Sequence, residues 1–209
     1  MSARHLDNFK LWRDRMKESG KIKSIYPSLK KDGNLAELIG TVLGDGHIYR
    51  HPRCDSLRIT GDAKKMGFIN RSAYLVEAVF DKTPTISKVR RSNAMTVTIY
   101  ERNISKRLKI PHGSRKDLNY IPPKWISSNR SHTIRFLRGL YEAEGSLCYH
   151  PPTSTHKLFF ANKNQHLLKL VATLITSLGF TQNTYINKVQ VSRKVEVQGL
   201  KNLIQFRSY

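Results

Sequence analysis

Acidic residues are scarce in this 209-residue sequence. Fifteen Asp and Glu stand against 37 Lys and Arg, which leaves a formal net charge of +22. A solvated surface needs charge but not one sign of it, so an excess of this size points to a polyanionic partner, and to nucleic acid above all. Cysteine is nearly absent. Cys54 and Cys148 stand alone, in no metal-ligand spacing, which excludes a zinc ribbon and a disulfide framework and leaves two free thiols. Long apolar runs are missing as well. None approaches the ~18–20 residues of a membrane helix, and the opening MSARHLDNFKLW lacks the apolar centre of a secretory signal. The expectation is an intracellular, soluble protein, neither secreted nor membrane-bound. Hydrophobic residues make up 39% of the chain and aromatics 9%, enough for a folded core.

The remaining pattern repeats. Residues 1–33 form a basic extension in which Phe9, Trp12 and Met16 fall at helical spacing. Asn34 is placed to cap a helix over 35–43. HIYRH (47–51) and SLRITG (56–61) alternate as strands, Asp62 is placed to cap a helix ending near Phe80, and TISKVR and MTVTIY read as a second hairpin before a short helix over 102–109. PHGSRKDLNYIPPKW reads as an ordered linker with neither helix nor strand. The order then recurs. A helix spans 132–143, LCYH and HKLFFA are strands, NQHLLKLVATLITSLGF is a helix, TYINKVQVSRKVEV forms a hairpin, and GLKNLIQF forms a last short helix. LRITGD (57–62) matches LFFANK (158–163), so Leu57 and Ile59 correspond to Leu158 and Phe160. The expected fold is α+β: two pseudo-symmetric αββαββα halves, over 34–110 and 131–209, joined by a linker over 111–130.

Two segments carry the chemistry. Leu38-Ile39-Gly40-Thr41-Val42-Leu43-Gly44-Asp45-Gly46 and Leu137-Arg138-Gly139-Leu140-Tyr141-Glu142-Ala143-Glu144-Gly145 each place small residues four apart, hence on one helix face. Helices packed on those faces bring Asp45 and Glu144 together at two helix C-termini. Anions are disfavoured there by the helix dipole and by each other. A divalent cation with oxygen ligands resolves that conflict. The following glycines, Gly46 and Gly145, are suited to left-handed caps. His47, close behind Asp45, suits either a water position at the site or a hairpin surface.

These paired segments, together with IPPKW, resemble the LAGLIDADG homing endonucleases, and two motifs in one chain resemble the single-chain members of that family. The resemblance covers about 34–209. It implies that the signature helices form the interface between halves, that the sheets form a saddle over the DNA major groove, and that Asp45 and Glu144, with the backbone carbonyls of Gly44 and Ala143, bind divalent metal. Mg²⁺ is the implied cofactor, with Mn²⁺ substituting and Ca²⁺ supporting binding without cleavage. The implied activity is a monomer's double-strand cut at a long specific site, leaving 3′ overhangs. Asn162-Lys163 resembles the polar–basic pair that some members carry after the second strand, with Lys163 as a catalytic cation. The first half has Gly61-Asp62 there, with Lys64 and Lys65 just beyond, which suggests a double but uneven site. An RNA-binding maturase acting on intron RNA and a cleavage-inactive DNA-binding regulator are the competing readings on the same fold.

Strand alternation sorts the residues expected to face DNA. In the first half these are Tyr49, Ser56, Arg58, Thr60, Lys88, Arg90, Thr96 and Thr98. In the second they are Lys157, Phe159, Asn162, Gln190, Ser192 and Lys194, the last set opposite Val189, Val191, Val195 and Val197 on one continuous strand pattern. Arg115, Lys116 and Lys124 between the halves suit phosphates, Trp125 suits packing, and the aromatics are mostly expected at core positions, with Phe159 and Tyr100 among the exceptions.

Overall fold

The computed structural model describes residues 3–20 and 25–209, so residues 1–2 and 21–24 of the basic extension lie outside the described residues. Helix α1 (Ala3–Glu18) precedes α2 (Gly33–Asp45), β1 (Gly46–Arg50), β2 (Asp55–Asp62), α3 (Met66–Phe80), β3 (Thr85–Lys88), β4 (Ala94–Glu101) and α4 (Ile104–Leu108). After the linker come α5 (Lys124–Ser127), α6 (Arg130–Glu144), β5 (Gly145–His150), β6 (Thr155–Ala161), α7 (Gln165–Ser177), β7 (Asn183–Tyr185), β8 (Lys188–Val191) and α8 (Lys194–Leu203). Each half folds its strands into one antiparallel sheet, in the order β1-β2-β4-β3 and then β5-β6-β8-β7. The expected two αββαββα halves are therefore present.

Inward residues at period 2 meet helices of period 3.6. Ile48, Leu57, Ile59, Val97 and Ile99 line the inner face of the first sheet, and Phe68, Ile69, Leu75, Val76 and Phe80 of α3 pack over it. Leu158, Phe160, Val189 and Val191 do the same in the second half, under α7 and α8. The two hairpins nearest the motifs differ in length. Gly46 pairs with Ile59, whereas Gly145 pairs with Phe160, and the extra residues of the second hairpin form a 3₁₀ turn at Pro151–Thr153.

The halves meet through α2 and α6, which form the most extensive element–element contact of the molecule. A Cβ placed on Gly40 would lie 2.2 Å from the Phe136 carbonyl oxygen, and one on Gly139 would lie 2.0 Å from that of Glu37. Backbone thus packs on backbone, as the small-residue face requires. Glu37, 1% exposed, adds an ionic node to this interface. Its carboxylate accepts from Arg71 of α3 (Nε at 2.7 Å, Nη2 at 2.9 Å) and from Arg135 of α6, with Arg138 Nε at 3.6 Å. Arg138 in turn donates to Gln205 and to the Ser208 carbonyl, which ties the C-terminal segment to the same interface.

Several local expectations are corrected. The α2 cap is Asp32, whose carboxylate accepts from the Leu35 amide at 3.0 Å; Asn34 lies inside the helix. A charged acceptor also satisfies the helix dipole, which an amide does not. Asp62 remains in β2, paired with Ala94, and its carboxylate accepts from the Lys64 amide and the Asn93 side chain; α3 begins after Lys65 without a side-chain cap. The linker contains the short helix α5. The alternation Val189 to Val197 breaks at Val191: Lys194, Val195 and Val197 belong to α8, where Val197, Leu200 and Ile204 follow a helical face and Val195 is 83% exposed. Gly46 and Gly145 are extended, with φ of −83° and −82°. Their need for glycine is spatial, since a Cβ would lie 2.6 Å from Val42 Cα in one case and 2.3 Å from the Tyr141 oxygen in the other.

The interface yields two stability predictions. Gly139→Val, forced against backbone, should cost about 3 kcal/mol or more in chemical denaturation, while Gly199→Ala in α8 should stay within about 1 kcal/mol of wild type. Glu37→Ala leaves three guanidiniums without their common anion and should cost about 3–5 kcal/mol; a loss under about 1 kcal/mol would show that the ionic node is dispensable.

Candidate metal and nucleic-acid site

The close helix packing determines where the two acids go. α2 ends at Asp45 and α6 ends at Glu144, each followed directly by a strand. Gly44 abuts the other motif: a Cβ there would come 2.4 Å from Ala143 Cβ and 3.2 Å from Glu144 Cγ. Burial raises the pKa of Asp45 to about 7, with the Glu144 charge adding to the rise and Lys65 and Arg115 opposing it. Glu144 is also raised by burial, and the amide of Asn162, which donates to Glu144 Oε1 at 3.0 Å, moderates the effect. Two half-buried carboxylates thus face each other at negative helix ends, as the motif spacing predicts.

The donor set fits a hard divalent cation. Among the described residues no group of three or more His, Cys, Asp or Glu forms a metal cage. The available ligands are two carboxylates and the neighbouring backbone oxygens, all oxygen, on an open cleft, which suits Mg²⁺ better than Zn²⁺. The cleft, of about 580 Å³, is lined by Gly44, Glu144, Asn162, Lys163, Arg115 and Lys116 among others.

The basic residues sort unevenly. Lys163 lines the cleft beside Glu144. Of the two first-half candidates, Lys65 is the one whose charge acts on Asp45, so the first half does have a cation at its acid. Arg115 lies deeper than a phosphate-contacting linker residue would. Its Nη2 donates to the Gly46 carbonyl, the residue after Asp45, and its Nε and Nη1 are buried without a hydrogen-bond partner. Asn164 holds it there. This residue, 7% exposed, caps α7 through the Leu167 amide and donates to the carbonyls of Arg115 and Leu118, each at 2.9 Å. Nothing in the linker composition signals this clamp. Lys124 is on the wrong side for the site. It lines a separate hollow with Leu35 and Trp125 at the N-terminal end of α2, roughly 15 Å along the helix from Asp45 at 1.5 Å per residue.

The outer sheet faces carry most of the expected DNA-facing residues. Tyr49, Arg58 and Thr60 are exposed, and Thr98 is partly so. Ser56 is not available. It is fully buried between Tyr49 and Tyr100 in the register, with the His51 ring at 3.1 Å. Thr96 and Gln190 are also buried, paired with Thr60 and Ser192 respectively. Lys88 pairs with Met95 and so lies on the helix-side face, whereas Thr85 and Ser87 point outward; Arg90 follows in the exposed turn. In the second sheet Lys157 and Phe159 lie on the outer face, and Lys188 sits over the rings of both Phe159 and Tyr185, at 4.8 and 5.2 Å. Lys194 belongs to a helix and leaves this face. The expectation of mostly core-placed aromatics fails for Tyr149 and Tyr185, both about half exposed. His47 pairs with Arg58 on the outer face and is exposed.

The raised Asp45 pKa has a thermodynamic sign. An acid whose pKa rises on folding holds its proton more tightly in the folded state, so stability falls as pH climbs from the free value of 3.8 towards about 7. Asp45→Asn should therefore match wild type in melting temperature at pH 4 and exceed it at pH 8, and added Mg²⁺ should narrow the gap. A pH-independent difference would show that Asp45 is not under electrostatic strain.

Comparison with known proteins places this architecture. Residues 131–209 match the family model of the LAGLIDADG-like domain. A DNA polymerase of Thermococcus kodakarensis is 28% identical over 152 residues, 68% of this chain but only 8% of the polymerase's own length. Among solved structures, mesophilic variants of the homing endonuclease I-DmoI superpose with a TM-score of 0.58 at 19% identity, covering 82% of this chain and 94% of theirs. I-DmoI in complex with DNA and Mn superposes at 0.57 and 16% identity, covering 84% and 97%. Full-length DUF199/WhiA from Thermotoga maritima reaches 0.61 at 14% identity, covering 87% of this chain and 58% of that one. Residues 131–209 thus match a LAGLIDADG-like domain, and the first half repeats the same acid-tipped helix and the same sheet order.

Proposed function

We propose that the protein is a site-specific, divalent-metal-dependent endonuclease that acts on double-stranded DNA as a single chain. The carrying observation is the convergence of Asp45 and Glu144 at the ends of two helices packed backbone to backbone, where Lys65, Arg115 and Asn162 only partly relieve the two charges and a divalent cation would complete the balance. The net charge of +22 and the two outer faces supply the DNA-binding surface. The endonuclease I-DmoI, which has the same fold, has been seen with DNA and Mn, with DNA and Ca, and with its target in the presence of Mg. A DNA-binding regulator of this fold has no use for both acids.

In the reaction an oxygen of water bonds to phosphorus and gives its proton to solvent, the bond from phosphorus to the leaving sugar oxygen breaks, and that oxygen takes up a proton from solvent to become a hydroxyl. Divalent metal bound at Asp45, Glu144 and the backbone oxygens of Gly44 and Ala143 would lower the cost of forming the nucleophile and of carrying charge on the leaving oxygen. The chain's own groups have distinct parts. Asn162 fixes the rotamer of Glu144. Lys65 and Lys163 place a positive charge on either side of the paired acids, where charge on the phosphoryl oxygens grows. Exposed Arg58 and the threonines around it meet base edges, while Lys116 at the cleft rim meets the backbone. A protein that cuts DNA resides with the genome it cuts.

The test begins with selection of cleaved sequences from a randomised duplex library in Mg²⁺. On the selected target, Asp45→Asn or Glu144→Gln should reduce cleavage by a factor of about 10² or more, while Ca²⁺-supported binding stays within a few-fold of wild type. Full activity in either variant would refute the assignment, and tight binding without any cleavage by wild type would favour the regulator.

A further inference from the structure

We propose that Arg115 is a positioning residue for the first acid alone, and that by attaching the linker to the turn after Asp45 it makes the two halves of the site cut their strands at different rates. The inference rests on the nuclease reading for its strand consequence, though not for its electrostatic one.

Four observations carry it. The first is anchorage: Asn164 holds the carbonyls of Arg115 and Leu118, so the linker is fixed to the second half while the Arg115 side chain crosses to the first. The second is direction. Nη2 donates to the carbonyl of Gly46, and the Asp45 carboxylate is the charge that acts on this guanidinium. The third is incompleteness. Nε and Nη1 are shielded from water and have no acceptor, a costly state for charged donors unless an anion beside them compensates.

The fourth is the comparison with the other half. Arg207 takes the matching place and donates to the Gly145 carbonyl at 3.0 Å. It is exposed, however, lies over the Phe206 ring at 4.7 Å, and its backbone amide serves Glu142 and not Glu144. Glu144 has for its own partner the neutral amide of Asn162. One acid thus stands beside a fixed cation and the other beside an amide. A fixed positive charge competes with a divalent cation for the same carboxylate, so the two halves bind and use the metal unequally. Lys65 also acts on Asp45, whereas Lys163 lines the cleft beside Glu144, so the Arg115 variants are what separate the guanidinium from the lysines.

The experiment compares wild type with R115M, R115K and R207M on a duplex carrying the selected target, each strand labelled separately. Wild type should cut the two strands with different single-turnover rate constants. The ratio should shift by about tenfold or more in R115M, return towards wild type in R115K, and hold in R207M. A parallel loss on both strands in R115M, with the ratio unchanged, would reduce Arg115 to a structural tie and overturn the proposal. A second measurement needs no cleavage: Mn²⁺ is titrated into the DNA-free protein. R115M should bind Mn²⁺ about tenfold more tightly than wild type, and equal or weaker binding would overturn the proposal. A protein that shows the Mn²⁺ shift yet cuts neither strand keeps Arg115 as the positioning residue for Asp45 and refutes the nuclease reading instead.

Discussion

Backbone-to-backbone contact between α2 and α6 is the constraint from which the rest of the molecule follows. Gly40 and Gly139 have no Cβ to hold the helices apart, and each lies against a carbonyl of the opposite helix. At that separation the two helix ends cannot avoid each other, so the residues that terminate them are brought together whatever their chemistry. Placing acids at this point puts like charges where the dipoles of both helices already oppose them. The fold carries this conflict on one continuous apolar core, which joins both sheets through the buried residues of α2 and α6.

Charge is distributed along the same interface to balance the conflict. At the far end of α2 a single carboxylate, Glu37, gathers three guanidiniums. At the near end the two carboxylates gather basic groups only partially: Lys65 and Arg115 act on Asp45, and a neutral amide serves Glu144. The stabilising node and the functional node are thus opposite in sign and roughly two helical turns apart on one element, at the 3.6 residues of a turn. The first consolidates the dimer-like packing, and the second leaves it electrostatically unsatisfied where a cation can complete it.

Much of this was legible in the sequence because it is written in short-range patterns. Small residues four apart, an acid at each helix end and a repeated strand order specify α2, α6 and both sheets without reference to distant contacts. What escaped was non-local or degenerate. Arg115 meets Gly46 across 69 residues of chain, and an arginine in a Gly- and Pro-rich linker has no local mark that distinguishes it from any other surface cation. Val195 and Val197 continue a strand alternation, yet Val197, Leu200 and Ile204 also satisfy a helix, and burial of that face decided for the helix. Ser56 is polar and on the outward side of its strand, and only the two tyrosines flanking it in the register show that outward does not mean exposed.

The unequal hairpins have a further meaning. The β1–β2 turn is short and the β5–β6 turn carries an additional 3₁₀ segment, so the two saddle flanks do not reach equally far from the central axis. A symmetric dimer must read a palindrome, because its two copies make the same contacts. Once both copies share one polypeptide, each flank is free to acquire its own shape and its own vocabulary of side chains. A chain built this way acquires polarity: its surface has a defined left and a defined right.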